Sequence, residues 1–147
     1  MDTKKLTRVA GVLVHPTSFP SPYGIGDLGK EAYEFVDFLE KAGQYLWQIL
    51  PLTPTGFGDS PYQSFSAFAG QPLIISPDKL VELGLLEEAD LADCPAGDGT
   101  TVNYGEIVPW KNKILKKAYE GFKNVTDKEL LKEYKAYLKL EKSLSPN

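Results

Sequence analysis

The chain reads as an α/β fold built on a parallel strand–helix–strand unit, and three observations carry that reading. Two short apolar runs, residues 9–15 and 45–52, are separated by one stretch with helical periodicity, and a parallel strand pair needs a helical crossover of this kind. Each run opens at its C-terminal end into a proline-rich excursion, at the edge where parallel α/β folds collect their binding groups. The composition, 147 residues at 42% hydrophobic and 24% charged, is that of a globular domain and excludes disordered, collagenous and coiled-coil chains.

Residues 9–15, Val-Ala-Gly-Val-Leu-Val-His, are rich in β-branched side chains without alternation, which predicts a strand buried on both faces. From His15 to Gly24, three prolines and two serines fix φ angles and remove N–H donors, so this stretch is a long turn. Ala32, Phe35, Val36, Leu39 and Ala42 then recur at helical spacing with Glu31, Glu34 and Lys41 off the stripe, predicting a helix over 30–42 that stops at Gly43. The second strand follows, and three prolines and two glycines over residues 51–63 make a second irregular loop. Ser76-Pro77-Asp78 predicts a helix capped by Ser76 and ending near Gly84. Residues 93–105 read as loop. Residues 111–122 predict a helix with Ile114, Leu115, Ala118 and Phe122 on one face. A capping box of Thr126 and Glu129 opens a last helix through Leu130, Leu131, Tyr134 and Leu138 to near Lys142.

No apolar run approaches the roughly 20 residues of a membrane-spanning helix, and the start Met-Asp-Thr-Lys-Lys lacks an apolar signal core. The expectation is a soluble, cytoplasmic chain with no membrane partner. One cysteine, Cys94, and one histidine, His15, supply neither an internal disulfide nor a four-ligand zinc site, so no metal and no cofactor are expected. Of the net charge of −4, residues 111–147 hold ten lysines against five acids while residues 1–110 carry −9. The lysines are interleaved, as in Lys128-Glu129-Leu130-Leu131-Lys132-Glu133, which marks a solvated helix face rather than a nucleic-acid surface.

Gly24-Ile25-Gly26-Asp27-Leu28-Gly29 matches the dinucleotide fingerprint G-x-G-x-x-G. Its context does not. The fingerprint's first glycine turns directly off the strand, whereas a proline-rich stretch separates His15 from Gly24, and the second strand ends in Leu50-Pro51-Leu52-Thr53 without a ribose-binding acid. These glycines are read instead as allowing close packing and φ > 0, with Asp27 capping the helix.

Two segments, Thr17 to Gly29 and Trp47-Gln48-Ile49-Leu50-Pro51-Leu52 through Gly58-Asp59-Ser60-Pro61-Tyr62-Gln63-Ser64-Phe65 to Gly70, closely resemble the N-terminal region of the 4-α-glucanotransferases of glycoside hydrolase family 77, the amylomaltases or disproportionating enzymes. The resemblance covers about residues 8–86 closely and 104–140 loosely. It implies the N-terminal part of a (β/α)8 TIM barrel: residues 1–75 as the first βαβ unit with substrate-site loops, and residues 76–147 as a mostly helical inserted subdomain. It also implies transfer of α-1,4-glucan segments between maltooligosaccharides by a retaining mechanism. By the same resemblance Ser60, Pro61 and Tyr62 lie at the donor site, where a tyrosine offers an apolar face to a pyranose and a hydroxyl to its oxygens. Phe57 stands where some members carry a tyrosine of a second glucan groove, Gln71 where Gly-Asn-Pro is usual, and Phe19 in place of a common leucine. His15, at the end of the first strand, is read as structural.

A (β/α)8 barrel needs about 250 residues, and retaining transfer needs two carboxyl groups about 5 to 5.5 Å apart. The resemblance puts the family's reactive acids on later strands, so no catalytic residue is assigned within residues 1–147. Asp59 is read as a turn former. The tail, Ser143-Leu144-Ser145-Pro146-Asn147, reads as truncated, and two apolar strands with open edges predict self-association. Three functions remain open: a glucanotransferase N-terminal portion whose chemistry depends on residues outside the chain, a non-catalytic α-glucan-binding remnant using Tyr62, Phe57 and Tyr23, and an interaction module built on the lysine-rich helices.

Overall fold

The computed structural model describes residues 8–66 and 69–144, with the backbone alone for Phe57, Ser143 and Leu144. Strands β1 (Gly11–Leu13) and β2 (Leu46–Gln48) lie parallel, Gly11 beside Leu46, Val12 beside Trp47 and Leu13 beside Gln48. The crossover helix α1 (Lys30–Lys41) joins them, as its periodicity predicts. It ends in a Schellman turn: the Gly43 N–H donates to the Glu40 carbonyl at 3.0 Å and the Gln44 N–H to the Leu39 carbonyl at 2.9 Å. Phe35 carries α1 onto the sheet, its ring 5.3 Å from Trp47 and 5.1 Å from Phe19.

The strands are shorter than the apolar runs that foretold them, and they are not buried on both faces. Leu13 is 56% exposed and Leu46 50%. Among the described residues the sheet has only these two strands, so each run's apolar side chains have few neighbours to be buried against.

The core lies elsewhere. Helices α2 (Pro77–Glu82), α3 (Tyr104–Phe122) and α4 (Lys128–Leu144) follow, and the buried apolar residues form two clusters around α3. One gathers Tyr23, Leu86, Trp110, Ile114 and Ala118; the other gathers Ile25, Leu73 and Ile107. The loop after β1 thus contributes Tyr23 and Ile25 to the interior. Tyr23, offered from the sequence as a sugar-stacking ring, is a core residue: it stacks on Trp110 at 5.9 Å and its hydroxyl donates to Asp78.

Three local expectations need correcting. Helix α3 begins at Tyr104, seven residues before the predicted start, with Pro109 inside it. The stripe Ile107, Trp110, Ile114 and Ala118 continues the apolar face N-terminally, and burying Ile107 and Trp110 outweighs the hydrogen bond that Pro109 cannot donate. At α4 the cap is Asp127 rather than Thr126: its Oδ1 accepts from the Glu129 N–H at 2.7 Å and from the Leu130 N–H at 3.0 Å. Ser76 precedes α2 but makes no capping bond with its side chain. Two of the four lysines of α3 are held in ion pairs, Lys113 with Asp93 and Lys117 with Asp90. Among the described residues no helix is long and apolar enough to cross a membrane.

Candidate functional site

Because β1 and β2 are parallel, the loops leaving them emerge at the same end of the sheet. In the first loop His15 is structural: its Nδ1 accepts from the Thr17 N–H at 3.3 Å and lies 2.7 Å from the Thr17 hydroxyl, capping the turn Pro16–Ser18. Burial holds the imidazole below its ordinary pKa, opposed by the Pro51 carbonyl. The glycines of the fingerprint-like stretch serve packing. A Cβ on Gly26 would stand 2.2 Å from the Pro16 carbonyl oxygen, and Gly24, at φ +70°, would put one 2.7 Å from Ile107.

Asp27 does not cap α1 with its side chain. Gly29 occupies the N-cap position, and the Asp27 carboxylate accepts from the Gly29 N–H at 2.7 Å. That carboxylate is 5% exposed. Burial pushes its pKa up, while the Lys111 ammonium, the Gly29 N–H and the Ser76 hydroxyl draw it back. Lys111 itself is fully buried, and its Nζ donates to the Ile75 carbonyl at 2.6 Å. Burial lowers its pKa to about 8 against the attraction of Asp27, Cys94 and Asp78. The sequence carried one signal of this lysine: a cation set into the apolar stripe of α3.

The second loop, residues 53–70, is stapled at its base by Gln71. The Gln71 N–H donates to the Leu52 carbonyl at 3.0 Å, its side-chain amide donates to the Thr53 carbonyl at 3.2 Å, and its Oε1 accepts from the Leu73 N–H at 3.3 Å. Above the staple the chain turns twice. The Asp59 N–H donates to the Gly56 carbonyl at 3.2 Å with Asp59 at φ +55°, and the Gln63 N–H donates to the Ser60 carbonyl at 3.1 Å. Asp59 is therefore the turn former the sequence predicts. The Ser60 hydroxyl accepts from the Tyr62 N–H at 3.3 Å, which leaves its own O–H available to a ligand.

These turns bring Ser60, Pro61 and Tyr62 together at one tip, with Tyr62 72% exposed. Phe65, which the sequence reading passed over, is a second exposed ring three residues on. Phe57 contributes backbone to the turn Phe57–Asp59, and its side chain lies outside the described residues. A separate cleft of about 530 Å³ opens between the first loop and residues 99–104, lined by Thr17, Ser18, Phe19, Ser21, Thr101 and Tyr104. Tyr62 does not line it. Burial raises the Tyr104 pKa, helped by the nearby Asp59 charge and opposed by a hydrogen bond with Thr17, so both loops meet the start of α3 here. Among the described residues no group of three His, Cys, Asp or Glu side chains is close enough to hold a metal ion.

The family profile described as 4-alpha-glucanotransferase, glycoside hydrolase family 77, matches residues 14–146. The chain belongs to that family. The 4-alpha-glucanotransferase of Thermus thermophilus is 47% identical over 137 residues, covering 93% of this chain and 27% of that protein. The 4-alpha-glucanotransferase of Clostridium butyricum is 52% identical over 120 residues, covering 81% of this chain and 25% of that protein. Among solved structures, amylomaltase from Streptococcus agalactiae in complex with acarbose superposes with a TM-score of 0.83 at 42% identity, over 92% of this chain and 27% of that one. This family 77 chain thus spans about a quarter of the length of the curated relatives it matches.

Proposed function

We propose that this chain forms the glucan-binding N-terminal part of a 4-α-glucanotransferase that moves α-1,4-glucan segments between maltooligosaccharides by a retaining mechanism. In this reading β1, α1 and β2 are the opening units of a (β/α)8 barrel, residues 1–75 carry the substrate loops, and residues 76–147 are a helical buttress behind them. The observation that carries the reading is the Tyr62 ring, open to solvent on a stapled loop at the C-terminal end of β2. A flat aromatic face beside the free Ser60 O–H suits a pyranose, whose C–H surface stacks and whose hydroxyls accept hydrogen bonds. Pro61 sets the turn whose Gln63 N–H donates to the Ser60 carbonyl. The two reactive carboxyls that retaining transfer needs belong to later strands of such a barrel, so this chain binds and orients glucan. It works in the cytoplasm without metal or cofactor, and alone it self-associates weakly through its open strands.

A second reading, a glucan-binding protein without catalysis, is favoured by the two exposed rings Tyr62 and Phe65 on one loop. Grafting this chain into the Streptococcus agalactiae amylomaltase in place of the stretch it matches, and incubating the chimera with maltotriose, separates the two. Glucose plus longer oligomers identifies transfer, and saturable binding of maltoheptaose in calorimetry without products identifies the second reading. Neither products nor binding overturns both.

A further inference from the structure

We propose that His15, beyond capping its own turn, is a positioning residue for the glucan site: its neutral imidazole ties the first loop, the start of α3 and the base of the second loop into one junction, and taking up a proton opens that junction. The effect on sugar rests on the glucan reading above; the junction itself does not. The geometry begins at Thr17. Its N–H donates to His15 Nδ1 at 3.3 Å, its hydroxyl lies 2.7 Å from the same nitrogen, and its carbonyl accepts from the Gly26 N–H at 3.1 Å. The Tyr104 phenol, at the start of α3, hydrogen-bonds with the Thr17 side chain. Because Nδ1 accepts from a backbone N–H it carries no proton, so the imidazole hydrogen sits on Nε2. Nε2 is buried and faces the carbonyl of Pro51, three residues past β2, where the loop that carries Tyr62 departs. The Thr17 O–H then donates to Nδ1, and the Tyr104 O–H donates to Thr17 Oγ. Three segments remote in sequence are thereby joined through one ring.

Burial keeps this ring neutral at pH 7. When acid does protonate it, the new hydrogen lands on Nδ1, where two donors already point. The Thr17 N–H loses its acceptor, and the turn Pro16–Ser18 loses its cap. The Thr17 hydroxyl can swing round to accept from Nδ1, but its own hydrogen then faces the Tyr104 oxygen, whose O–H has to leave. Reversing one bond reverses the next, and the disturbance reaches α3. The titratable groups facing the junction from the other elements are Tyr104 and Asp59, and the Asp59 charge acts on Tyr104. Asp59 is the residue before the Ser60-Pro61-Tyr62 tip, so the junction touches the second loop twice, at Pro51 below and at Asp59 above. A neutral His15 holds both contacts in register, and an imidazolium loosens the tip on which the sugar would stack.

His15 is the sole histidine, so its ring protons are assigned at once in NMR spectra of the full chain. Between about pH 8 and about pH 5 the imidazole should titrate with a midpoint below the ordinary 6.5, and the amide signals of Thr17, Tyr104, Ser60 and Tyr62 should move with that same midpoint. His15→Asn offers a side-chain oxygen in place of Nδ1 to cap the turn, and those shifts should vanish in it. Maltoheptaose affinity, measured by calorimetry over the same range, should fall several-fold for the unvaried chain as the ring is protonated and stay flat for the variant. Amides of Tyr104, Ser60 and Tyr62 that ignore the imidazole midpoint in the unvaried chain overturn the proposal, whether or not the variant folds. Coupled shifts beside a maltoheptaose affinity that does not change with pH overturn the positioning role. Coupled shifts with no maltoheptaose bound at any pH sustain the junction and count against the glucan reading.

Discussion

Tyr62 and Lys111 represent the two ways a residue is used in this chain. Tyr62 is mostly solvent-exposed and contributes little to the fold, so Tyr62→Ala should leave the thermal midpoint unchanged while weakening maltoheptaose binding about tenfold, the range of one stacked ring. Calorimetry measures it, and equal affinities would remove the tyrosine from the sugar site. Lys111 is buried, bonded to the Ile75 carbonyl and faced by Asp27, Asp78 and Cys94. Its folded pKa of about 8 lies below the ordinary 10.5, so between those values the unfolded chain holds more protons and stability rises with pH. Below pH 8 its contribution is flat. The thiol of Cys94 and the phenol of Tyr23, both raised by burial, act in the opposite sense from their own unfolded values upward. The readout is therefore the difference between the unvaried chain and Lys111→Met. By pH 9.5 the unvaried chain should have gained about 2 kcal/mol relative to the variant, measured by urea unfolding. Parallel curves would mean that the lysine is not held as described.

At the scale of elements, the two loops that leave β1 and β2 differ in what anchors them. The first is built into the core, and Gly26 touches the Pro16 carbonyl so closely that Gly26→Ala should cost more than about 2 kcal/mol in chemical denaturation. Asp127→Ala, which removes only the cap of α4, should cost about 1 kcal/mol. The second loop rests on Gln71, so Gln71→Ala should lower maltoheptaose affinity several-fold by loosening Tyr62 without touching the sugar, and Gln71→Asn should recover part of it. The helices α1 and α2 were legible because short-range rules set them: an i, i+3, i+4 stripe, a proline at the first position and a glycine stop. Strand lengths were not, since pairing depends on neighbours remote in sequence. The start of α3 was hidden by Pro109, whose local penalty is outweighed by the tertiary burial of Ile107 and Trp110. Of the site, the tip Ser60-Pro61-Tyr62 was visible as motif and turn chemistry. The roles of Gln71, Tyr23 and Lys111 were not visible, because each depends on partners from another segment.

For the molecule as a whole, the lysine-rich C-terminal quarter is electrostatically quieter than its composition suggests. Lys113 and Lys117 are paired with Asp93 and Asp90, Lys123 with Glu120, and the net charge is −4. Heparin binding measured from 20 to 200 mM salt should therefore be weak and nearly flat, whereas a steep salt dependence would revive the interaction-module reading. The buried polar contacts also have a consequence in time. Tyr23 reaches Asp78 across 55 positions, and Ile75 waits for Lys111 across 36. During synthesis the first strand, helix and second strand leave the ribosome well before α3, at a few to about twenty residues per second. Through that interval Asp27 is hydrated, and Tyr23 and Ile25 of the glycine-rich loop lack the α3 side chains they pack against. The local crossover can form early, but the buried side of the loop is closed only when α3, with its interior lysine, arrives from the far half of the chain.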